Sequence, residues 1–343
     1  SLEDLIFMVF KSISMKEIKS KKQTHFIKKF FIKICRMLGY ELIDQSTLEF
    51  PVSNKDFQNL TSIPGKKSIS LGLGETSITR KVNTLDIIVK TCTAVQLVSQ
   101  NKKRIFEKDK AEYTFRTVNS LVKSAKDLKK KFEEIKIRFT VLDVNSINSD
   151  INKILSKISD EGFEVKHIPV EIEKNPKNNM STTMASIRQS FNLAKNCSDL
   201  IYFVEDDYIH KTEALAEMLF AYEKFSSIFE NEIFILSADY PYLYKKLNNS
   251  NILIGENIHW RTVKESLLTF MTSKKMIEKH FEKLIDMATK ESNPFEKNLH
   301  TIYEEERCFS PIPSLSFHCT NINSVFGLSP NIDLKKLWDD NKN

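Results

Sequence analysis

Three adjacent acids, Glu205, Asp206 and Asp207, follow the apolar run LIYFV at residues 200–204. Like charges repel one another, and a buried carboxylate without a partner is unfavourable, so the triplet requires cations or hydrogen-bond donors nearby. Carboxylate oxygens are also the ligands that Mg²⁺ prefers, and this metal keeps positions open for the phosphate oxygens of a substrate. The alternative is a solvated acidic turn that caps a helix beginning near Lys211.

Other polar residues also stand where predicted strands end. Thr91 closes the run LDIIVKT at 85–91, and Asp143 closes IRFTVLD at 137–143. The carboxyl ends of parallel strands meet at one edge of a sheet, and open α/β sheets bind their ligands at this edge. We therefore expect Thr91, Asp143 and the acid triplet to lie close together.

The elements that must hold these residues alternate between apolar runs, which predict buried strands, and stretches with helical periodicity. Strands are predicted at 85–91, 137–143, 163–170 and 200–204, and helices at 112–132, 147–162 and 182–196. Further strands are predicted at 232–237 and 267–273, with a helix at 273–288. The alternation predicts an α/β fold, with a mostly parallel sheet sandwiched by helices.

The composition is that of a folded protein with a sizeable core, because 41% of the 343 residues are hydrophobic and 28% are charged. The five cysteines are scattered and odd in number, and no two form a CxxC pair. This argues against a disulfide framework and a structural zinc site, and it favours a reducing cytoplasm. No run reaches the roughly 20 apolar residues that a membrane span requires.

The N-terminal region carries the excess positive charge of the chain. Residues 1–40 hold nine Lys or Arg and three Asp or Glu, whereas the whole chain has a net charge of +6. Apolar residues recur at helical spacing between 26 and 38, which predicts a basic amphipathic helix. The basic residues within it are Lys28, Lys29, Lys33 and Arg36. Both docking of this helix on the main domain and contact of residues 15–40 with a membrane or another anionic partner remain open.

The alternating pattern begins after residue 82. We therefore predict two parts, an N-terminal helical extension at 1–82 and an α/β domain at 83–343. Neither GxGxxG nor GxxxxGK[ST] occurs in the chain, which excludes the usual Rossmann dinucleotide motif and the P-loop. A diphosphate ligand would then require a cation. Nucleic acid is disfavoured as a partner because basic and acidic residues balance beyond residue 40.

The order of these elements, together with the stretch ASIRQSFNLAKNCSDLIYFVEDDY, resembles glycosyltransferases of the GT-A fold, particularly the family 2-like bacterial enzymes. The resemblance covers residues 83–320. It implies transfer of a sugar from a UDP- or GDP-sugar to a hydroxyl group of a glycan, polysaccharide or glycolipid, with inversion of configuration. It further implies Mn²⁺ or Mg²⁺ as cofactor, and a cytoplasmic role in cell-envelope polysaccharide synthesis at the inner face of the membrane.

The same resemblance assigns roles to individual residues. Asp207 and His318, the latter in PIPSLSFHC, would bind the metal. The donor would contact Thr91, Asp143, Arg188, Glu205 and Asp206. Two candidates stay open for the base that takes the proton of the acceptor hydroxyl. One is Glu296, at the place where the family has its base at the start of a helix, although the family's Glu-Asp pair is absent. The other is Asp239, which follows the strand at 232–237.

Two rival functions compete with this assignment. A sugar-phosphate nucleotidyltransferase also places acids on an α/β sheet, but such enzymes carry a glycine-rich basic loop after the first strand. The corresponding stretch, KTCTAVQLVSQNKKR, has lysines and no glycine. A non-catalytic protein that binds a membrane or another anionic partner through its basic N-terminus would leave the acid triplet unexplained.

Overall fold

A computed structural model describes residues 26–39, 78–94, 105–171, 179–245, 247–290, 292, 294–319 and 332–342. The chain divides into two compact units, one of residues 1–78 with 227–230 and one of residues 79–226 with 231–343. The first unit contains helix α1 (Phe26–Met37), which lies where the basic amphipathic helix is predicted. The rest of the basic segment at 15–40, apart from 38 and 39, lies outside the described residues.

The second unit is built on one mixed sheet of nine strands within the described chain, in the order β3-β2-β1-β4-β9-β6-β10-β8-β7. The strands are β1 (Thr84–Thr91), β2 (Lys136–Asp143), β3 (Glu164–Pro169), β4 (Leu200–Glu205), β6 (Phe234–Leu236), β7 (Ile252–Ile254), β8 (His259–Val263), β9 (Phe270–Ser273) and β10 (Cys308–Ile312). Only β8 and β9 run against the other strands of this sheet. The predicted α/β fold with a mostly parallel sheet is confirmed.

A second sheet has two short antiparallel strands, β5 (Tyr208–His210) and β11 (Ser316–His318). Helices flank the large sheet in packed groups. They are α2 (Lys110–Lys131), α3 (Asn148–Asp160), α4 (Asn179–Ala194), α5 (Ala214–Phe229), α6 (Lys274–Lys279), α7 (Phe281–Met287), α8 (Lys297–Glu305) and α9 (Leu334–Asp340), and a 3₁₀ turn spans Pro241–Lys245. Helix α2 packs on α3, whereas α4 packs on α6 and α7. None of the described helices combines the length and the apolar character needed to cross a bilayer.

The first four strands lie within two residues of their predicted bounds. Strands β1, β2 and β4 are largely buried apolar runs, whereas β3, at the edge of the sheet, is mostly polar and exposed. The later chain departs from prediction in several places. The short strand β5 follows the acid triplet, and the helix expected near Lys211 begins three residues later, at Ala214, as α5. The strand predicted at 267–273 begins only at Phe270. The predicted helix at 273–288 is divided at His280, which ends α6 and precedes α7.

Candidate functional site

The carboxyl ends of β1, β2 and β4 bring the predicted polar residues together at one edge of the sheet. The register pairs Thr91 with Asp143 and Lys90 with Glu205. Three strands in this order therefore place a hydroxyl group, a lysine and two carboxylates at neighbouring positions. The expected convergence of polar strand ends is present in the structure.

Asp143 is tied to the loops that follow β1 and β2. The Thr91 hydroxyl donates to its Oδ1 at 2.8 Å, and the backbone N–H of Ser146 donates to its Oδ2 at 3.1 Å. The hydroxyl of Ser146 in turn accepts a hydrogen bond from the backbone N–H of Thr93 at 2.9 Å. Asp143 is 8% exposed, so its carboxylate fixes the shape of both loops from within.

Asp206, the middle acid of the triplet, is held by three protein donors. Its Oδ2 accepts from the backbone N–H of Cys92 and from the Thr114 hydroxyl, both at 3.0 Å, and its Oδ1 lies 2.8 Å from Lys110 Nζ. Asp206 is 6% exposed. Burial raises the pKa of Asp206, and the ion pair with Lys110 opposes this rise. We call Asp143 and Asp206 the buried acid pair.

Lys110 is the cation that the sequence analysis missed. It is the first residue of α2, where the helix dipole disfavours a positive charge, and this misplaced charge is the signal that could have identified it. Burial alone would lower the pKa of Lys110, but the charges of Asp206 and Asp207 raise it above its usual value. Lys110 therefore stays protonated and supplies positive charge to the triplet.

Glu205, the first acid, has a lysine of its own. Lys90 Nζ lies 3.3 Å from Glu205 Oε1, and the two side chains are 12% and 27% exposed. The backbone N–H of Glu205 donates to the Thr269 hydroxyl of the loop before β9 at 3.2 Å. The first two acids of the triplet are thus each met by a lysine.

Asp207, the third acid, faces a histidine. The antiparallel pairing of β5 with β11 sets His318 opposite Tyr208, and the backbone carbonyl of Asp207 accepts from the backbone N–H of Cys319 at 2.8 Å. His318 Nε2 lies 3.4 Å from Asp207 Oδ2, with the side chains 16% and 19% exposed. The Tyr208 ring stacks on the His318 ring at a centroid distance of 4.6 Å and an angle of 11°.

The strand pair β5–β11 is fixed by buried polar contacts. His210 Nδ1 lies 3.1 Å from the carbonyl of Tyr208, which can only accept, so Nδ1 carries the proton and Nε2 accepts from the Tyr202 hydroxyl at 2.6 Å. Burial lowers the pKa of His210 to about 3, so this histidine is neutral. A neutral, fully bonded His210 makes the strand beside Asp207 a rigid support.

The strand pair is also backed by an apolar cluster. Ile209 and Phe317 pack with Tyr113, Cys319 and Trp338 of α9. The guanidinium group of Arg116 lies 4.2 Å from the centre of the Trp338 ring, a cation–π contact. Helix α9 therefore closes the side of β5 and β11 that packs against α2.

Asp207 and His318 fit a divalent cation. Two cis ligands at about 2.1 Å from an octahedral ion lie roughly 3 Å apart, close to the spacing of these two atoms. In the described part of the chain, no group of three or more His, Cys, Asp or Glu residues could enclose a metal. Magnesium is commonly bound by one or two carboxylates, here that of Asp207, while substrate phosphates and waters fill the other positions. The pair fits an ion held in this way.

Glu296 lies at the N-terminus of α8, at the helix start where the resemblance sets the catalytic base. It is half-buried, and burial raises the pKa of its carboxyl group. The negative charge of Glu205 raises this pKa further, whereas Lys90 and His300 oppose the rise. Glu296 is thus electrostatically linked to the first acid of the triplet. We call Glu205, Asp207, Glu296 and His318 the half-buried cluster.

Asp239, the other candidate base, has its carboxylate engaged by the protein. Arg261 Nη2 lies 2.8 Å from Asp239 Oδ1, and the Ser310 hydroxyl donates to the same oxygen at 3.2 Å. The Tyr244 hydroxyl donates to Oδ2. The side chain of Asp239 is 2% exposed, so a substrate hydroxyl would have to displace these donors to reach it.

Arg188 is exposed on α4, one turn and more from the end of that helix. No contact recorded for the described residues joins its side chain to the acid triplet. Its assignment to the donor stays a prediction, as do the roles assigned to the other site residues.

Comparison with known proteins gives remote structural likenesses. No family model and no curated protein matches the sequence. Among solved structures, the galactosyltransferase LgtC, in complex with donor and acceptor sugar analogues, is 12% identical, with 65% of this chain and 70% of that chain covered and a TM-score of 0.32. S. aureus TarS is 13% identical, with 57% of this chain and 29% of that chain covered and a TM-score of 0.32. This chain therefore spans less than a third of TarS.

The nucleoside-diphosphate-sugar pyrophosphorylase of Vibrio cholerae is also similar in structure. Its identity is 11%, with 68% of this chain and 95% of that chain covered and a TM-score of 0.34. These structurally similar proteins belong to two enzyme classes. Their TM-scores of 0.32–0.34 do not distinguish between the two classes. The function proposed below is therefore drawn from the site residues.

Proposed function

We propose that this chain is a metal-dependent glycosyltransferase of the GT-A type, similar to the family 2 enzymes. It moves a sugar from a nucleotide-sugar donor to a hydroxyl group of a glycan, polysaccharide or glycolipid, with inversion. The observation that carries the proposal is the 3.4 Å separation of Asp207 Oδ2 and His318 Nε2, two residues that are far apart in the sequence. They meet beside the strand ends that α/β proteins use for ligands.

We propose that the donor diphosphate is held beside the acid triplet through a metal ion. Asp207 and His318 would hold Mn²⁺ or Mg²⁺, which would neutralise charge that develops on the leaving diphosphate. Lys110 keeps its positive charge, which offsets part of the negative charge of Asp206 and Asp207. Thr91 and Asp143, at the ends of β1 and β2, are proposed to border the nucleoside.

Glu296 is proposed as the base. The acceptor oxygen bonds to the anomeric carbon while the bond from that carbon to the diphosphate oxygen breaks, and the diphosphate leaves with the electron pair. Glu296 takes the proton of the attacking hydroxyl. A raised carboxyl pKa suits this role because a base is most effective when its pKa approaches the working pH. Asp239 is less suited, since Arg261 and two hydroxyl groups already engage its carboxylate.

The proposal is tested by donor binding and turnover in the presence and absence of metal. We expect UDP- or GDP-sugars to bind and to be transferred or slowly hydrolysed with Mn²⁺ or Mg²⁺, and both activities to be lost in EDTA. Asp207→Ala should abolish both and leave the melting temperature near that of the wild type. Full activity in EDTA, or an unaffected Asp207→Ala protein, would contradict the proposal.

The products distinguish the rival enzyme class. A glycosyltransferase releases the nucleoside diphosphate of the donor, whereas a sugar-phosphate nucleotidyltransferase exchanges pyrophosphate with a nucleoside triphosphate. Nuclear magnetic resonance of the glycoside formed then reports the anomeric configuration. A product that retains the configuration of the donor would refute inversion without refuting transfer.

A further inference from the structure

Helix α1, in the first compact unit, has a surface that the proposed reaction does not use. Its large apolar side chains are exposed, with values from 39% at Ile34 to 78% at Phe26. The exposed apolar residues of this segment are Phe26, Phe30, Phe31, Ile34, Met37 and Leu38. Isolated exposed apolar side chains are ordinary, but six within one short segment form a patch of the kind that marks an interaction site.

The positions of α1 divide into an apolar half and a basic half. At about 100° per residue, the six exposed apolar residues fall within one half of the helix circumference. The positions of Lys28, Lys29, Lys33 and Arg36 fall on the other half, together with one apolar position, Ile32. Residues 18–40 include seven Lys or Arg and no Asp or Glu. The segment thus combines a wide apolar face with a net positive charge in its sequence.

This combination matches the surface of an anionic bilayer. The phosphate groups of such a surface attract the basic half, and the boundary of the acyl chains accepts the aromatic half. Nucleic acid offers the negative charge but no apolar layer deep enough for three phenylalanines. The 12 residues of α1 extend about 18 Å at 1.5 Å per residue, which is shorter than the hydrocarbon core of a bilayer. The helix can therefore lie in the surface but cannot cross it.

We propose that α1 binds the surface of anionic phospholipid bilayers, with its phenylalanine half in the acyl boundary and its basic half toward the phosphates. This inference is independent of the proposed transferase activity. It would hold for any function of the second unit.

The test uses the full chain and sedimentation with two kinds of vesicle, phosphatidylcholine alone and phosphatidylcholine with phosphatidylglycerol. We expect binding to the anionic vesicles, weaker binding to the neutral ones, and release as salt screens the charges. Replacing Lys28, Lys29, Lys33 and Arg36 by Gln should weaken partition by at least about tenfold, since each basic residue near such a surface contributes appreciably.

A matched control removes four charges from the second unit. Its positions, Lys136, Lys166, Lys264 and Lys275, have side chains that are 61–82% exposed, and all four become Gln. This control has the same net charge as the α1 charge variant and should bind vesicles like the wild type. An equal loss in both variants would show a general charge effect and overturn the proposal.

A second variant tests insertion of the apolar half. Phe30→Ser with Phe31→Ser should also weaken vesicle binding, while thermal denaturation stays as in the wild type. If this variant melts at a lower temperature and binds vesicles unchanged, the apolar half packs against protein and the proposal fails. Equal binding of the wild type to neutral and anionic vesicles, or to neither, would overturn it as well.

Discussion

The buried acid pair and the half-buried cluster share one edge of the sheet, yet they differ in what surrounds their carboxylates. Asp143 and Asp206 are 8% and 6% exposed, and protein donors meet both oxygens of each. In the half-buried cluster, Glu205 and Asp207 have side chains that are 27% and 19% exposed. Within one triplet, Asp206 is therefore buried, whereas its neighbours Glu205 and Asp207 are half-buried.

This difference in burial indicates that the two groups of acids have different roles. A buried carboxylate whose oxygens are met by protein donors holds loops in place, and breaking it leaves other buried groups unsatisfied. The half-buried carboxylate of Asp207 is instead partly open to solvent, with its side chain 19% exposed. Residue type does not distinguish Asp206 from Asp207. Their burial does, because Asp206 is 6% exposed and the Asp207 side chain is 19% exposed.

The largest expected effect is a difference in stability between the Asp206→Ala and Asp207→Ala variants. Asp206→Ala removes the close partner of the 20% exposed Lys110 side chain and leaves the buried Thr114 hydroxyl without its acceptor, so we expect the free energy of unfolding to fall by about 2–3 kcal/mol. Asp207→Ala should change it by no more than about 1 kcal/mol, as is usual for a partly exposed ion pair. Urea denaturation of both variants measures the contrast. Equal losses of stability would remove the distinction between the buried acid pair and the half-buried cluster.

The next effect concerns the two candidate bases. Glu296→Gln should lower the rate of sugar transfer by about 10²-fold and leave donor binding intact, because general bases contribute at least that much. Asp239→Asn should instead lower the melting temperature, since Arg261 would lose its charged partner. Transfer and donor binding are measured separately for each variant. Full transfer by Glu296→Gln would show that Glu296 is not the base. Loss of transfer with unchanged stability in Asp239→Asn would identify Asp239 as the base.

His318→Ala should have a smaller effect, confined to the metal. We expect donor affinity at saturating Mn²⁺ to recover most of its wild-type value, while the concentration of Mn²⁺ required rises about tenfold. His318 is only partly buried, so the melting temperature should fall little. Isothermal titration with Mn²⁺ and donor measures the shift. A histidine that serves packing alone would give the reverse, with lower stability and an unchanged Mn²⁺ requirement.

The smallest effect is a shift in pH dependence. The proposed base, Glu296, can take a proton only when it is ionised, so transfer should fall as the pH drops through its raised pKa. Burial is the first cause of the raised pKa and the charge of Glu205 adds to it, so Glu205→Gln should move the acid limb of the pH–rate profile to lower pH. The exposed Glu304, changed to Gln, is the control and should leave the limb in place. If the acid limb stays in place in both variants, the charge of Glu205 does not influence the titration of Glu296.

Much of the fold follows from the sequence, but the site is only partly predictable from it. Strands β1, β2 and β4 are apolar runs that any partner would bury, so their ends and the polar residues there could be located. Strand β10 could not be predicted, because Pro311 lacks an amide donor and argues against a central strand. Strands β5 and β11 have three residues each, too few for any periodicity to be detected.

The contacts that complete the site depend on tertiary pairing. The meeting of His318 with Asp207 is set by the register of β5 on β11, which neither short segment specifies alone. The resemblance to GT-A enzymes named both residues, whereas the pattern of apolar residues did not. Lys110 was missed because its role arises from three-dimensional contact with Asp206, at the first residue of a helix whose predicted start lay two residues later.

The order of strands in the large sheet also has a consequence for synthesis on the ribosome. Strands β1 to β4 are consecutive in the chain and adjacent in the sheet, so they can pair as soon as they emerge. Strand β9 inserts between β4 and β6, and β11 meets β5 about a hundred residues after β5 is made. A nascent chain that stops before β11 would hold Asp143, Lys110 and Asp206 in place and still lack the partner of Asp207. The parallel strands β1 to β4 can thus pair early in translation, whereas the contact of Asp207 with His318 forms only after β11 is made.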